Sequence, residues 1–262
     1  MKPFLYRGRA LNRNAWLIDN AITDGDYVYI CTAPDNGTFW WRQKVRPETL
    51  SVRTRKSDMD GYAIHENDVV VNALNNEFGL VEWDENAGRF IVRYRHHVDG
   101  FDTVDFKNLY IYDNVFDNPN CIYWYKFEEA RKKVKPVLFR AETLSGGWTE
   151  GYPVELSGHT YLYFCCFDSV LTHQEVYPET LCAYTGQLAR DGEPICENDV
   201  VFDVFSENIG VVEWDEPNSR FLVRWRDSLH GRVEGFDVIT PNDLRIIGNI
   251  FDDPDLVPWY KQ

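Results

Sequence analysis

Apolar and polar residues alternate with a period of two over Leu80 to Asp84 and again over Arg89 to Arg95, the mark of half-buried strands. With Glu85-Asn86-Ala87-Gly88 as a four-residue hairpin loop, Asp84 faces Arg89, Trp83 faces Phe90, Glu82 faces Ile91 and Val81 faces Val92. One face then carries Val81, Trp83, Phe90, Val92 and Tyr94, which suits a core. The other carries Glu82, Asp84, Arg89, Arg93 and Arg95. The same scheme recurs with Val212, Trp214, Phe221, Val223 and Trp225 inward and Arg220, Arg224 and Arg226 outward. A one-residue slip would bury the arginines, so the register is well specified. Tyr27 to Cys31 and Tyr161 to Cys165 are aromatic, β-rich runs, and Asp60-Gly61 and Asp191-Gly192 are turn signals. Short strands with frequent turns predict a mainly β chain built from small, partly open, SH3-like barrels.

The recurrence extends far beyond one hairpin. Pro47 to Arg95 align without a gap on Pro178 to Arg226, with about half the positions identical. Glu66-Asn67-Asp68-Val69-Val70 returns as Glu197-Asn198-Asp199-Val200-Val201, and Val81-Glu82-Trp83-Asp84-Glu85 as Val212-Glu213-Trp214-Asp215-Glu216. After a four-residue insertion, Gly100-Phe101-Asp102 matches Gly235-Phe236-Asp237, and Asn114 to Pro119 matches Asn249 to Pro254. Trp124-Tyr125-Lys126 matches Trp259-Tyr260-Lys261. Near the start, Arg9-Ala10 is aligned with Arg140-Ala141, each followed by a lone tryptophan, Trp16 or Trp148. We therefore expect two tandem modules, residues 1–126 and 136–262. Between them 127–135 is a short connecting helix, with Glu128 and Lys132 four apart and Pro136 as its stop.

Composition narrows the function. The chain has 42 acidic and 27 basic residues, a formal charge of -15, and that field disfavours nucleic acid and anionic membrane. No apolar run approaches the roughly 20 residues that cross a bilayer. The stretch Met1 to Arg7 turns polar too early for a signal peptide, so a soluble, cytoplasmic protein is expected. Among the six cysteines there is no CxxC pair, and Cys165-Cys166 are neighbours, a poor geometry for a mutual disulfide. Reduced, buried thiols are expected, with no zinc site.

Candidate chemistry is sparse. None of the six histidines recurs at an equivalent position; His65 aligns with Cys196. His96-His97 enters a loop with side chains on opposite faces, a poor chelate. No HExxH, Walker, GxGxxG or GxSxG motif is present, so no metal or cofactor is expected. The duplicated acids Glu66, Asp68, Glu197 and Asp199 are the best acid/base or metal-holding set. A turn in which Asp68 and Asp199 bond local amides accounts for them more simply.

The matched blocks resemble the YopX family of phage and prophage proteins. The second module carries the pattern nearly complete: Phe139-Arg140-Ala141, Gly147-Trp148, Pro178-Glu179-Thr180, Tyr184-Thr185-Gly186, Asp191-Gly192, Ile195 to Val201, Gly210 to Trp214 and Ile247 to Phe251 with Pro254. The first departs where it reads Arg53-Thr54-Arg55 for Tyr-Thr-Gly and Tyr112-Asp113-Asn114 for Ile-Gly-Asn. The resemblance implies a phage-type protein with a β-rich, partly open barrel, no catalytic residues to carry over, and a tandem arrangement like a fused pseudo-dimer.

These features favour a non-catalytic accessory protein acting in the bacterial host cytoplasm. The expected ligand is a small anion such as a nucleotide-derived signal, sequestered as counter-defence. The expected ligand-binding residues are Arg93, Arg95, Arg224 and Arg226, with Trp40 and Trp41 as stacking surfaces. Cross-strand pairing with Glu82, Asp84, Glu213 and Asp215 is the competing use of those arginines. The alternative is a module that binds a host or phage protein through Phe39-Trp40-Trp41. Self-association is compatible with either, and an enzyme using the duplicated acids ranks last.

Overall fold

The structure, a computed structural model, describes residues 5–13, 15–24, 26–32, 41–122, 137–165, 171–226 and 232–260. It is mainly β with curled, open half-barrel sheets, as expected. Among the described residues no helix reaches seven residues, and the expected connector helix, 127–135, lies outside them, as do Phe39 and Trp40.

In the N-terminal half the strands are β1 (Tyr6–Arg9), β2 (Trp16–Asp24), β3 (Tyr27–Thr32), β4 (Trp41–Val45), β5 (Ser51–Ser57) and β6 (Ala63–His65). They continue with β7 (Asp68–Asn72), β8 (Glu77–Asp84), β9 (Arg89–Tyr94), β10 (Val98–Gly100) and β11 (Leu109–Asn114). The C-terminal half runs through β12 (Phe139–Glu142), β13 (Trp148–Leu156), β14 (His159–Cys165), β15 (Leu171–Val176), β16 (Cys182–Leu188) and β17 (Pro194–Cys196). It closes with β18 (Asp199–Asp203), β19 (Asn208–Asp215), β20 (Arg220–Trp225), β21 (Val233–Gly235) and β22 (Leu244–Asn249). Element for element, the second series mirrors the first.

The chain packs as two compact units, each drawing on both halves: Lys2–Glu82 with Ile91–Leu181, and Trp83–Phe90 with Cys182–Gln262. In the first unit, one sheet runs β4-β3-β2-β1-β5-β6 and another includes β15-β14-β13-β12. Ile22, Tyr29 and Cys31 of the β2/β3 hairpin share a core with Val154 of β13, flanked by Tyr152 and Tyr163. The Thr23 hydroxyl donates to the Tyr152 hydroxyl at 2.7 Å, so this buried seam also satisfies its polar atoms. A further core in the same unit joins Val69, Leu80, Val115 and Ile122. Its counterparts Val200, Val211, Ile250 and Val257 form the corresponding core of the second unit.

The second unit holds the tip of the β8/β9 hairpin. There Trp83 stacks on Trp214 with centroids 6.4 Å apart, and each meets its own phenylalanine edge-on, Phe90 at 4.9 Å and Phe221 at 4.8 Å. Phe90 N–H donates to Ser219 O at 3.3 Å while Phe221 N–H donates to Gly88 O at 3.0 Å. Equivalent residues thus exchange equivalent bonds, the reciprocity of an isologous contact. The register reading holds in β19/β20, where Val212 faces Val223, Trp214 faces Phe221 and Asp215 faces Arg220. Trp83 and Trp214 are half-buried rather than core residues, because their outer faces cover each other.

One difference between the two halves has a conformational meaning. Strand β16 shifts register after Tyr184, and Gly186 there takes φ 87°. Strand β5 shifts at the same place, but the residue in the left-handed conformation is Arg55, at φ 65°. A side chain there costs about 1–2 kcal/mol relative to glycine. Gly79 and Gly210 serve a different need: a Cβ on either would overlap a methyl of Val92 or Val223 across the hairpin.

Gly210→Ala, and equally Gly79→Ala, is expected to lower stability by about 1–3 kcal/mol through overpacking. Arg55→Gly is expected to raise it by about 1 kcal/mol. Urea unfolding midpoints read both effects, and unchanged midpoints would contradict these packing and backbone arguments.

Candidate functional site

The arginine face is largely occupied. Arg93 Nε donates to Glu82 Oε2 at 2.5 Å. Arg224 grips Glu213 with two bonds, Nε at 2.7 Å and Nη2 at 2.9 Å, and that pairing raises its pKa further. Cross-strand pairing, the competing use of these arginines, is thus present for Arg93 and Arg224. In β19/β20, Arg224 faces Val211 and Glu213 faces Leu222, so the ion pair is diagonal, within reach of long side chains. Arg220 meets Asp215 at 3.2 Å as expected, whereas Arg89 turns to Asp237 at 3.3 Å. Asp84 is otherwise engaged, accepting from the loop amides of Asn86 and Ala87 at 3.0 and 3.2 Å.

Arg95 and Arg226 lie exposed just past their strands. Trp41 opens β4, in a different sheet from the β9 strand that carries Arg93. Arg93 and Arg224 belong to different compact units, and Trp40 lies outside the described residues.

A denser polar cluster lies in the first unit. On β1, Arg7 faces Ser51 of β5; Arg53, two residues on, faces His65 of β6. Residues two apart share a face of the sheet, so Arg7, Ser51, Arg53 and His65 stand together. Asp68 closes the floor. It follows the Glu66-Asn67 turn, where Asn67 takes φ 66°, a conformation asparagine tolerates well. The Asp68 carboxylate is wholly buried. It accepts from the Arg7 guanidinium, from His65 N–H at 2.8 Å and from Asn114 Nδ2 at 3.2 Å. Burial pushes its pKa up, against the pull of Arg7 and the two N–H donors. Above, the Trp16 ring lies beneath Arg7 and Arg9, 5.1 and 5.5 Å from their guanidinium carbons. Arg9 pairs with Asp117, which also accepts from the Trp16 indole at 3.1 Å.

Two ion pairs therefore offset Arg7 and Arg9, while no acid pairs with Arg53 among the described residues. The buried Nε atoms of Arg7, Arg9 and Arg53 meet no acceptor there. His65, its side chain 6% exposed, donates Nδ1–H to Ala63 O at 3.0 Å. Its Nε2 is left as a bare lone pair, also buried and without a partner. Burial first, then Arg7 and Arg53, push the imidazole pKa down to about 3, so it is neutral.

The C-terminal half keeps this scaffold but changes its chemistry. Asp199 accepts from Cys196 N–H at 2.7 Å and from Asn249 Nδ2 at 3.4 Å, beyond an Asn198 at φ 67°. Cys182, Tyr184 and Cys196 occupy the places of Ser51, Arg53 and His65, with Tyr184 facing Cys196. Both duplicated aspartates are thus committed to local amides. Among the described residues no group of three His, Cys, Asp or Glu side chains is placed to hold a metal. Cys31, Cys182 and Cys196 are buried and not joined in disulfides.

Sequence reasoning missed this cluster because it aligned Arg9 with Arg140. The structure corrects that match by two residues. Arg9 N–H and Glu142 N–H each donate to the equivalent threonine, Thr49 or Thr180, at 2.9 Å. Arg140 lies over Trp148 at 5.6 Å as Arg7 lies over Trp16. The usable signal was the shared order aromatic, arginine, small in Tyr6-Arg7-Gly8 and Phe139-Arg140-Ala141.

Residues 155–258 match a family model described as YopX protein. That match lies within the C-terminal half. No curated protein and no solved structure matches the chain. No helix among the described residues is long and apolar enough to cross a membrane.

His65 gives a pH prediction. Between pH 6.5, its ordinary value, and about 3 the unfolded chain binds a proton that the fold refuses, so stability falls with acid across that window. The loss is roughly 1.4 kcal/mol per pH unit below 6.5. Denaturant midpoints of wild type and His65→Gln should converge as the pH falls through this range; a constant gap would contradict a neutral, buried imidazole.

Proposed function

We propose that this chain is a non-catalytic binding protein made of two diverged YopX-type modules, and that it captures a small anion. The observation that carries this reading is the Arg53 guanidinium, unopposed by an acid beside the buried His65. The Arg93 and Arg224 grip is set aside, because Glu82 and the bidentate Glu213 must be displaced before either arginine could hold a ligand. Capture moves to the cluster of Arg7, Arg53 and His65, where donors already wait in a partly dehydrated face. The net charge of -15 opposes long-range attraction of an anion, so affinity rests on these local donors. As a phage-type accessory factor, such a protein would sequester an anionic, nucleotide-derived signal in the host cytoplasm.

A second reading rests on a separate observation. Leu74 and Phe205, 76% and 75% exposed, cap equivalent hairpins between β7 and β8 and between β18 and β19. Their amides are held in matching turns by Asn72 and Asp203. Paired apolar tips of this kind suit a protein partner contacted twice.

Thermal-shift measurements against a panel of anionic metabolites test the first reading. A ligand at about 100 times its Kd adds about 2.7 kcal/mol of stability. The shift should vanish in Arg53→Met and survive in Arg93→Met. A shift lost with Arg93 and kept without Arg53 would return the site to the strand face. Loss of a stoichiometric partner in Leu74→Ser with Phe205→Ser, with small-anion binding absent, would favour the second reading.

A further inference from the structure

Building on the small-anion reading, we infer that the first module's cluster selects a phosphoryl group that carries its own hydroxyl proton: a phosphate monoester or hydrogenphosphate. The requirement comes from two kinds of unmet valence on one face. The Nε–H groups of Arg7 and Arg53 need acceptor oxygens. The His65 Nε2 lone pair needs a donor, because Nδ1–H is already spent on the Ala63 carbonyl. Carboxylate, sulfate and phosphodiester groups supply acceptors only. A monoester monoanion or hydrogenphosphate supplies both, its unprotonated oxygens to the arginines and its P–O–H to His65.

The charged groups facing His65 are Arg7 on β1, Arg53 on β5 and Asp68 at the start of β7. Asp68 is already filled by Arg7, His65 N–H and Asn114, so it does not compete for the ligand proton. Arg7 and Arg9 retain 15% and 22% side-chain exposure, while the Nε atoms of Arg7 and Arg53 and the Nε2 of His65 are buried, so a ligand meets them only as the side chains above move aside. The second module lacks this selectivity. Its Tyr184 and Cys196 replace the free guanidinium and the imidazole lone pair, so one of the two modules carries the site.

The proton balance separates the two sources. Hydrogenphosphate near neutral pH already bears a P–O–H and binds without proton exchange. A monoester, whose second pKa is about 6, is mostly dianionic at pH 7.5 and takes up close to one proton from solvent on binding. Calorimetry of the full chain with inorganic phosphate, adenosine 5′-monophosphate, sulfate and 3′,5′-cyclic adenosine monophosphate, in two buffers of different ionisation enthalpy, reads both affinity and protons. Phosphate or the monophosphate should bind at least about tenfold more tightly than sulfate and the cyclic diester. The monophosphate should do so with uptake of about one proton. His65→Leu should erase the preference, His65→Gln should keep part of it through its amide oxygen, and Arg53→Met should abolish binding of all four. Sulfate binding as tightly as phosphate, with both lost in Arg53→Met, would overturn this inference and leave the small-anion reading standing. No binding by any of the four, or binding indifferent to Arg53, would overturn both.

Discussion

The buried carboxylate of Asp68 is the constraint around which this part of the first compact unit is arranged. A charge with no exposed surface persists only if its lone pairs are filled, and here three elements fill them: Arg7 from β1, the His65 amide from β6 and Asn114 from β11. The ion pair is a poor source of net stability, since desolvation offsets much of its attraction. Its effect is positional. It fixes where β1 meets β7, brings Arg7 over Trp16, and places Arg53 and His65 on one face. Removing Arg7 alone would strand the carboxylate; in the C-terminal half Asn249 donates to the buried Asp199 in the same way.

On that shared frame the two halves of the chain differ in the side chains packed beside the aspartate. Ser51, Arg53 and His65 in one become Cys182, Tyr184 and Cys196 in the other, while the aspartate, the left-handed asparagine and the threonine that caps Ile64 or Ile195 are retained. Arg55 shows that this was not free of strain, since it holds a backbone conformation that Gly186 adopts without cost.

Much of the fold was legible in the chain. Period-two alternation and the bulky inward set predicted the β8/β9 and β19/β20 hairpins, and the register of β19/β20 agrees residue for residue. The half-burial of Trp83 and Trp214 was not legible, because alternation reports which face a residue takes and not what lies beyond it. The partners of the strand-face arginines were legible only in part, for a related reason. Local pairing rules point across a strand pair, whereas Arg93 and Arg224 find Glu82 and Glu213 diagonally. Arg7, Arg53 and His65 are separated by up to 58 residues and become neighbours only through the β1–β5 and β5–β6 pairings. A gapless alignment that favoured Arg9 over Arg7 hid the one arginine that could have connected them.

The most direct test is the nitrogen-15 resonance of the His65 imidazole, followed while adenosine 5′-monophosphate is titrated into the protein. Nε2 should begin with the shift of a bare, neutral lone pair and move toward that of a hydrogen-bonded or protonated nitrogen, saturating with ligand. An Nε2 resonance that stays fixed at saturating monophosphate would contradict a phosphoryl group in this cluster.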